Sequence, residues 1–312
     1  FKIAKKTTGQ DMRSFADKWI YSKYLPHFSL GFGYNRSKGQ TEIAFKQNKH
    51  FSGMLEVRIV ESDGVAQDQE LNFEDEYHEF CVVRRKKKRD EEIPAANLQT
   101  NPSVPLGWIC FDPELNWIRK ITFHQSEFMW INQLEQEKDV IAQLEAVDGL
   151  VQDAEFGSTR AISALERVLE TSGFFYKVRT KAIFGLAKIG GQVGLNYLLD
   201  YYKSHYFSKE TGQLKGHEFS NFDMYFIQKA VQEALSRILI NDQSPPELLE
   251  FYLDLLRNGD NSTNPVSLVF DHPSTHLSVL RQLLFGISDD FNVKLDCTWY
   301  LQDWRTTGAL SF

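Results

Sequence analysis

Two His-Glu pairs are the first residues whose types and spacing could do chemistry. In an HExxH zinc site a helix sets two histidines four residues apart on one side of the metal, with the glutamate beside the bound water. Here His78-Glu79 meets Val82 at the required position and His217-Glu218 meets Asn221, so neither pair has its second ligand. The plainer reading is an exposed strand histidine and an exposed loop histidine. His272 and His276 stand four apart, but Pro273 between them suits a loop entering a helix better than a metal site. The other histidines, 27, 50, 124 and 205, are scattered. Cys81, Cys110 and Cys297 are odd in number, widely spaced and without a CxxC, which excludes a disulfide framework or cysteine zinc site and favours a reducing compartment. There is no GxSxG and no Walker A loop, and Gly31-Phe32-Gly33 reaches Arg36 where the third glycine of GxGxxG would stand. The residues therefore predict no catalytic site, no metal, no cofactor and no small-molecule substrate.

Charge is the more informative chemistry. Formal net charge is -7, yet residues 1–50 carry 10 Lys+Arg against 3 Asp+Glu, while residues 126–312 carry 16 against 25. A basic N-terminal end is joined to an acidic C-terminal part. The densest feature is Arg84-Arg85-Lys86-Lys87-Lys88-Arg89, a block that cannot be buried. It reads either as a nuclear-localisation or phosphate-binding patch or as a solvated loop inserted between strands. The dispersed basic residues of the N-terminal end have ordinary surface charge as their default reading. As a function they would meet DNA phosphates, and Lys18, Lys23, Arg36 and Lys38 are the four expected to do so. Phe28, Phe32, Tyr34 and Phe45 alternate as strand core residues, not as a platform for stacking bases.

These side chains need elements to hold them, and 312 residues at about 150 per domain predict two domains. Period-two alternation, as in Leu55, Val57 and Ile59, marks strands at 27–34, 41–47, 54–60, 78–83, 107–111 and 117–123, a number that suits a small antiparallel β-sandwich. Met12, Phe15, Ala16, Trp19 and Ile20 before them repeat at helical spacing, closed by Pro26. From Gln125 the period becomes 3.6, and Phe128, Ile131, Leu134, Ile141, Leu144 and Val147 mark one face of a single long helix. Further helices follow at 158–172, 174–189, 194–207, 221–240, 245–258 and 275–287. Long helices recurring every 48 to 52 residues predict an α-helical HEAT/armadillo-like solenoid. The domains are thus 1–26, 27–124 as sandwich with a basic loop at 84–89, and 125–312 as helical repeats. Every long apolar stretch is broken by charge before about 18 residues, so no membrane-spanning helix is expected. Phe1 is no natural start and no leader-like segment follows it, so the chain is expected to be a piece of something longer.

Residues 117–147, WIRKITFHQSEFMWINQLEQEKDVIAQLEAV, closely resemble the strand-to-helix junction of the family of TFIID subunit 2, a TBP-associated factor. FYKVRTKAIFGLAKIG at 175–190, DMYFIQKAV at 223–231 and PPELLEFYLDLLRNGDN at 245–261 resemble it too, as does the basic run between the middle strands. That family is similar in architecture to gluzincin aminopeptidases, a catalytic domain followed by a β-sandwich and helical repeats. Phe15, Trp19 and Pro26 resemble the end of the catalytic-type domain, placing residues 1–26 there. The resemblance implies a nuclear, non-enzymatic scaffold and promoter-contacting subunit in RNA polymerase II initiation. Its implied partners are other TFIID subunits, including TBP-associated subunits one and eight, and promoter DNA near the initiator, with no membrane. The competing expectation is the C-terminal part of an active zinc aminopeptidase, which an upstream HExxH with a further glutamate would favour.

Overall fold

The computed structural model describes residues 1–258 except 22, 49–50, 84–97, 100–104, 213, 216–219 and 242, with only the backbone of Ser14, Lys18 and residues 256–258. The chain divides into two compact units, Phe1–His124 and Gln125–Phe312.

In the first unit two short helices, α1 (Lys2–Thr8) and α2 (Arg13–Trp19), precede seven strands. These are β1 (His27–Asn35), β2 (Gln40–Gln47), β3 (Gly53–Glu61), β4 (Ala66–Phe73), β5 (Tyr77–Val83), β6 (Leu106–Phe111) and β7 (Lys120–Phe123). They form two sheets, ordered β5-β2-β1-β7 and β4-β3-β6. Alternate residues on each strand turn inward, so Phe28, Ile43 and Phe45 of one sheet and Leu55, Val57 and Phe73 of the other are buried. The sheets meet through aromatic rings: Phe45 and Phe73 lie 4.7 Å apart and Phe28 and Phe73 5.5 Å. Trp117 joins this cluster, 5.5 Å from Phe28, and Trp19 of α2 packs on it from outside, 5.7 Å away.

Three strand expectations change. A seventh strand, β4, lies in a stretch where no strand is expected, because only Leu71 and Phe73 of its eight residues are buried and the hydrophobic alternation is too short to mark it. The expected strand at 117–123 shrinks to Lys120–Phe123, and it pairs with β1 parallel, unlike the antiparallel neighbours elsewhere in the unit. The cause is Asp112, whose fully buried carboxylate accepts from the N–H groups of Asn116 (2.8 Å) and Trp117 (3.2 Å) and from Arg119 Nε (3.1 Å). Those backbone donors are thereby spent on a loop and cannot join a ladder. Asp112 itself sits at φ 54, a left-handed conformation that aspartate tolerates better than most residues.

The second unit is helical. It contains α3 (Glu127–Gln136), α4 (Val140–Asp153), α5 (Thr159–Glu170), α6 (Tyr176–Ile189), α7 (Gly191–Tyr206), α8 (Phe222–Leu235) and α9 (Pro246–Asn258). The single helix expected from Gln125 is in fact two. Glu137 leaves the helical region at φ -70, ψ 140, and the Asp139 side chain caps α4 by accepting from Ala142 N at 2.8 Å. The break resets the helical phase, so Ile141, expected inside, is 39% exposed, and Phe128 is half-buried. Ser158 and Asn221 cap α5 and α8 in the same way. With α3 and α4 separated, helix pairs start at Glu127, Thr159 and Gly191, 32 residues apart each time. That replaces the expected interval of 48 to 52 and lies near the ~34 of a TPR unit. First helices pack on first helices and second on second: α3 on α5, and α4, α6 and α8 in sequence. Leu134, Leu165, Val178, Leu186, Ile227 and Leu235 are all buried between them. Surface ion pairs follow the same rows, Glu135 with Arg167 and Asp148 with Lys181. The helix expected at 275–287 lies outside the described residues.

Candidate interaction surfaces

The four residues expected to meet phosphate do not form one patch. Lys18 lies in α2, which is described there by its backbone alone. Lys23 is exposed in the segment leading into β1, and Arg36 and Lys38 are exposed in the turn leaving it. That turn is built by Asn35, whose Oδ1 accepts from Ser37 Oγ (2.7 Å) and from the Lys38 N–H (3.3 Å), while its amide donates to Glu42 (2.9 Å). Eight strand steps of β1 put about 26 Å between the two groups. Part of the N-terminal positive charge is matched locally, because Arg13 and Lys5 both reach Asp11. Hydrogen bonds from Arg13 hold the Asp11 carboxyl far below the usual carboxylate range. The basic loop residues Arg84, Arg85, Lys86, Lys87, Lys88 and Arg89 lie outside the described residues.

The histidines singled out by sequence have structural partners. His78 accepts at Nε2 from the Glu74 and Asp75 N–H groups (3.0 and 2.8 Å) and so closes the turn between β4 and β5. His27 Nε2 lies 2.7 Å from Thr122 Oγ1, bridging β1 and β7. His217, His272 and His276 lie outside the described residues. Ser204 Oγ stands 3.0 Å from His205 Nδ1, but both also lie 2.9 Å from the Tyr201 carbonyl, which makes the pair a local arrangement on α7. Among the described residues no three His, Cys, Asp or Glu side chains come together as a metal site, and no helix is long and apolar enough to cross a membrane.

The helical unit holds a chemistry that sequence spacing does not announce. Arg179 of α6 is buried and donates to the Leu169 carbonyl from Nε (3.0 Å) and Nη2 (2.8 Å), tying down the last turn of α5. Its Nη2 also reaches the Tyr201 hydroxyl at 3.3 Å. Tyr202 is buried one residue on, accepting from the amides of Gln228 (3.1 Å) and Gln232 (2.7 Å), and burial pushes its hydroxyl up to about 12. Burial likewise raises Tyr197, Tyr206 and Tyr252. Outside this core, α7 and α9 enclose a groove of about 570 Å³ whose lining includes Asp200, Lys203, Glu247, Glu250 and Asp254. The i, i+3, i+7 spacing of the three α9 carboxylates is visible in the sequence; that α7 stands opposite them is not.

Two family models match the chain in direct succession. The model described as "TAF2 Ig-like domain" covers residues 24–126, and that described as "TAF2-like, TPR repeats" covers residues 127–273. The chain is 30% identical over 289 residues to transcription initiation factor TFIID subunit 2 of Gallus gallus, covering 85% of this chain and 24% of that protein. The subunit 2 of Drosophila melanogaster is 29% identical over 281 residues (82% and 23%), and that of Schizosaccharomyces pombe 23% over 346 (85% and 30%). The chain therefore spans about a quarter of the length of the curated relatives it matches. Among solved structures, Legionella pneumophila aminopeptidase A in complex with aspartic acid aligns with TM-score 0.58 at 12% identity, over 98% of this chain and 36% of that one. That likeness concerns the fold.

Proposed function

The chain belongs to the TAF2 family, subunit 2 of transcription initiation factor TFIID, and from this premise we propose that it is a non-enzymatic scaffold and promoter-contacting part of a nuclear TFIID subunit. The observation that carries the reading is the unbroken succession of an Ig-like match and a TPR-repeat match, both to this one family, meeting at residues 126 and 127. Residues 1–26 are read as the end of an aminopeptidase-like domain, 27–124 as the sandwich domain and 125–312 as the helical-repeat domain. In this reading the acidic surfaces of the helical repeats dock other TFIID subunits, TBP-associated subunits one and eight among them. Helical repeats suit that role, since stacking leaves long continuous rows of side chains for a partner.

Promoter DNA near the initiator is met by the basic N-terminal end. Lys18, Lys23, Arg36 and Lys38 act there as phosphate contacts, in at least two places along the duplex because β1 separates the turn from Lys23. Lys and Arg dispersed over a helix, a loop and a turn, with no recognition-helix motif among them, give affinity without sequence preference. Arg84–Arg89 adds a further basic element for nuclear import or phosphate contact. The test uses TFIID reconstituted with the full-length protein carrying Lys18→Ala, Lys23→Ala, Arg36→Ala and Lys38→Ala, with promoter affinity measured over a salt series. Every phosphate that is no longer neutralised should flatten the slope of log K against log salt by about 0.9. An unchanged slope assigns the four residues to plain surface and removes DNA contact from the reading.

A further inference from the structure

The groove between α7 and α9 combines two properties that point to one kind of occupant. Its floor is apolar: Leu199 and Phe251 are buried and Phe207 is half-buried. Its rim is acidic, with Asp200 on α7 and Glu247, Glu250 and Asp254 on α9 against the single ammonium of Lys203. All four carboxylates are exposed, and none has an ion-pair or hydrogen-bond partner among the described residues. α7 and α9 are separated in the chain by α8, so the groove lies between helices that are not consecutive.

We propose that this groove docks a short basic amphipathic segment of a partner protein, lysines and arginines on its flanks meeting the four carboxylates and one or two large apolar side chains resting on Leu199, Phe207 and Phe251. Charge decides among the classes of ligand. A net lining charge of -3 repels nucleic acid and phosphorylated peptides. A divalent cation needs several oxygens converging at about 2.3–2.6 Å, whereas these carboxylates are spread over two helices and do not gather as a metal site. A cationic helix or extended strand offers charges at matching intervals and apolar side chains between them, the pattern of helix-in-groove recognition. The exposed rim speeds and orients encounter, and the apolar floor, once covered, supplies most of the retention. This inference rests on the reading of the helical repeats as a docking surface and names the partner chemistry that one part of it selects.

The test titrates the whole 312-residue chain with a synthetic peptide carrying leucine and phenylalanine one helical turn apart, flanked on both sides by lysines and arginines, followed by carbodiimide coupling of its lysines to nearby carboxylates. Binding that weakens with salt, coupling at Glu247, Glu250 or Asp254, and a loss of about tenfold (about 1.4 kcal/mol) in Glu247→Gln/Glu250→Gln/Asp254→Asn are expected. The control Glu155→Gln, at an exposed carboxylate between α4 and α5 that does not line the groove, should bind as the unaltered chain does. Circular dichroism of each variant verifies that these exposed, near-isosteric changes leave the fold in place. Equal binding by the triple variant, or coupling elsewhere, overturns the proposal. So does carbodiimide coupling of the same carboxylates to lysines of this chain or of a second copy without peptide, which would mean the groove is already filled. A chain that ignores the peptide while its full-length parent still sediments with TFIID sinks the groove assignment alone; loss of that sedimentation by the unaltered parent sinks the docking reading itself.

Discussion

In the sandwich the indole of Trp117 lies on Gly53, where an added Cβ would come within 2.5 Å of the ring, and its Nε1–H donates to the Met54 carbonyl at 2.8 Å. In the helical unit the indole of Trp130 on α3 lies on Gly149 of α4, where a Cβ would come within 2.3 Å, and its Nε1–H donates to Asp153 Oδ2 at 2.8 Å. Both units thus seat a tryptophan where the absence of a side chain admits a flat ring. They differ in what receives the indole N–H. A sheet has carbonyls to offer where a neighbouring strand stops short, and β6 pairs with β3 only from Val57 onward. A helix interior has spent its carbonyls on its own N–H groups, so the ring needs a side-chain acceptor, supplied one turn along α4.

Two arginines that reach buried acceptors carry the same contrast. Arg119 in the sandwich faces the buried carboxylate of Asp112, whereas Arg179 in the helical unit faces the Leu169 carbonyl and the Tyr201 hydroxyl, both neutral. The largest effect is expected from Arg119→Met, which strands a buried charge and should cost about 3–5 kcal/mol in denaturant titration. Arg179→Met leaves only neutral groups unsatisfied and should cost about 1–3 kcal/mol. Equal losses would break the distinction between the two sites. Next, Leu186→Ala should cost about 2–5 kcal/mol, since Leu186 is fully buried between helix pairs. A loss under about 0.5 kcal/mol, a surface value, would remove it from that layer.

The two tryptophan seats can be compared directly. Gly149→Ala should destabilise by about 1–3 kcal/mol even after the gain in helix propensity, because Trp130 is buried on a helix and cannot step aside. Gly53→Ala should cost less, since Trp117 is only half-buried and rides on a loop. Thermal melts of both variants, with tryptophan fluorescence as the local probe, test that order. The effect that is smallest near neutral pH separates the units in alkali. An unfolded tyrosine ionises near 10, but burial holds Tyr202 neutral up to about 12 and raises Tyr197, Tyr206 and Tyr252 as well. Folding therefore favours the neutral ring, a contribution complete below about pH 10 and lost as pH rises through about 12. Helical circular dichroism should fall over that interval together with the appearance of phenolate absorbance. Phenolate appearing at pH 10 with the helices intact would contradict it.

Strands β1 and β3 are legible in the sequence because each carries at least three alternating apolar positions, β6 because it is a fully apolar run, and β2 and β5 from the shorter apolar stretches 43–45 and 80–83. β4 escapes because its inward face is polar until Leu71. The helical character after Gln125 is legible from spacing, but the α3–α4 break is not, since Leu134 and Ile141 stand seven apart as two turns of an unbroken helix would place them, and the polar stretch between them reads equally well as a solvated helix face. Ile141 bears the consequence, turned to solvent where an unbroken helix would have buried it. The basic residues expected at the phosphate-contacting surface are legible by type, whereas their separation along β1 depends on strand length and pairing. The α7–α9 groove is hidden for a related reason: residues 207–245 separate α7 from α9 in the chain, and that the two helices face one groove belongs to the packing.

Whether the chain serves assembly or catalysis is tested most directly by sedimenting nuclear extract that contains its tagged full-length parent and assaying each fraction for TBP and for zinc-dependent release of fluorophore from aminoacyl substrates. Membership of a TFIID scaffold predicts one fast-sedimenting peak shared with TBP and no turnover attributable to the tagged protein. A slow peak without TBP, carrying aminopeptidase activity that follows the tag, would contradict it.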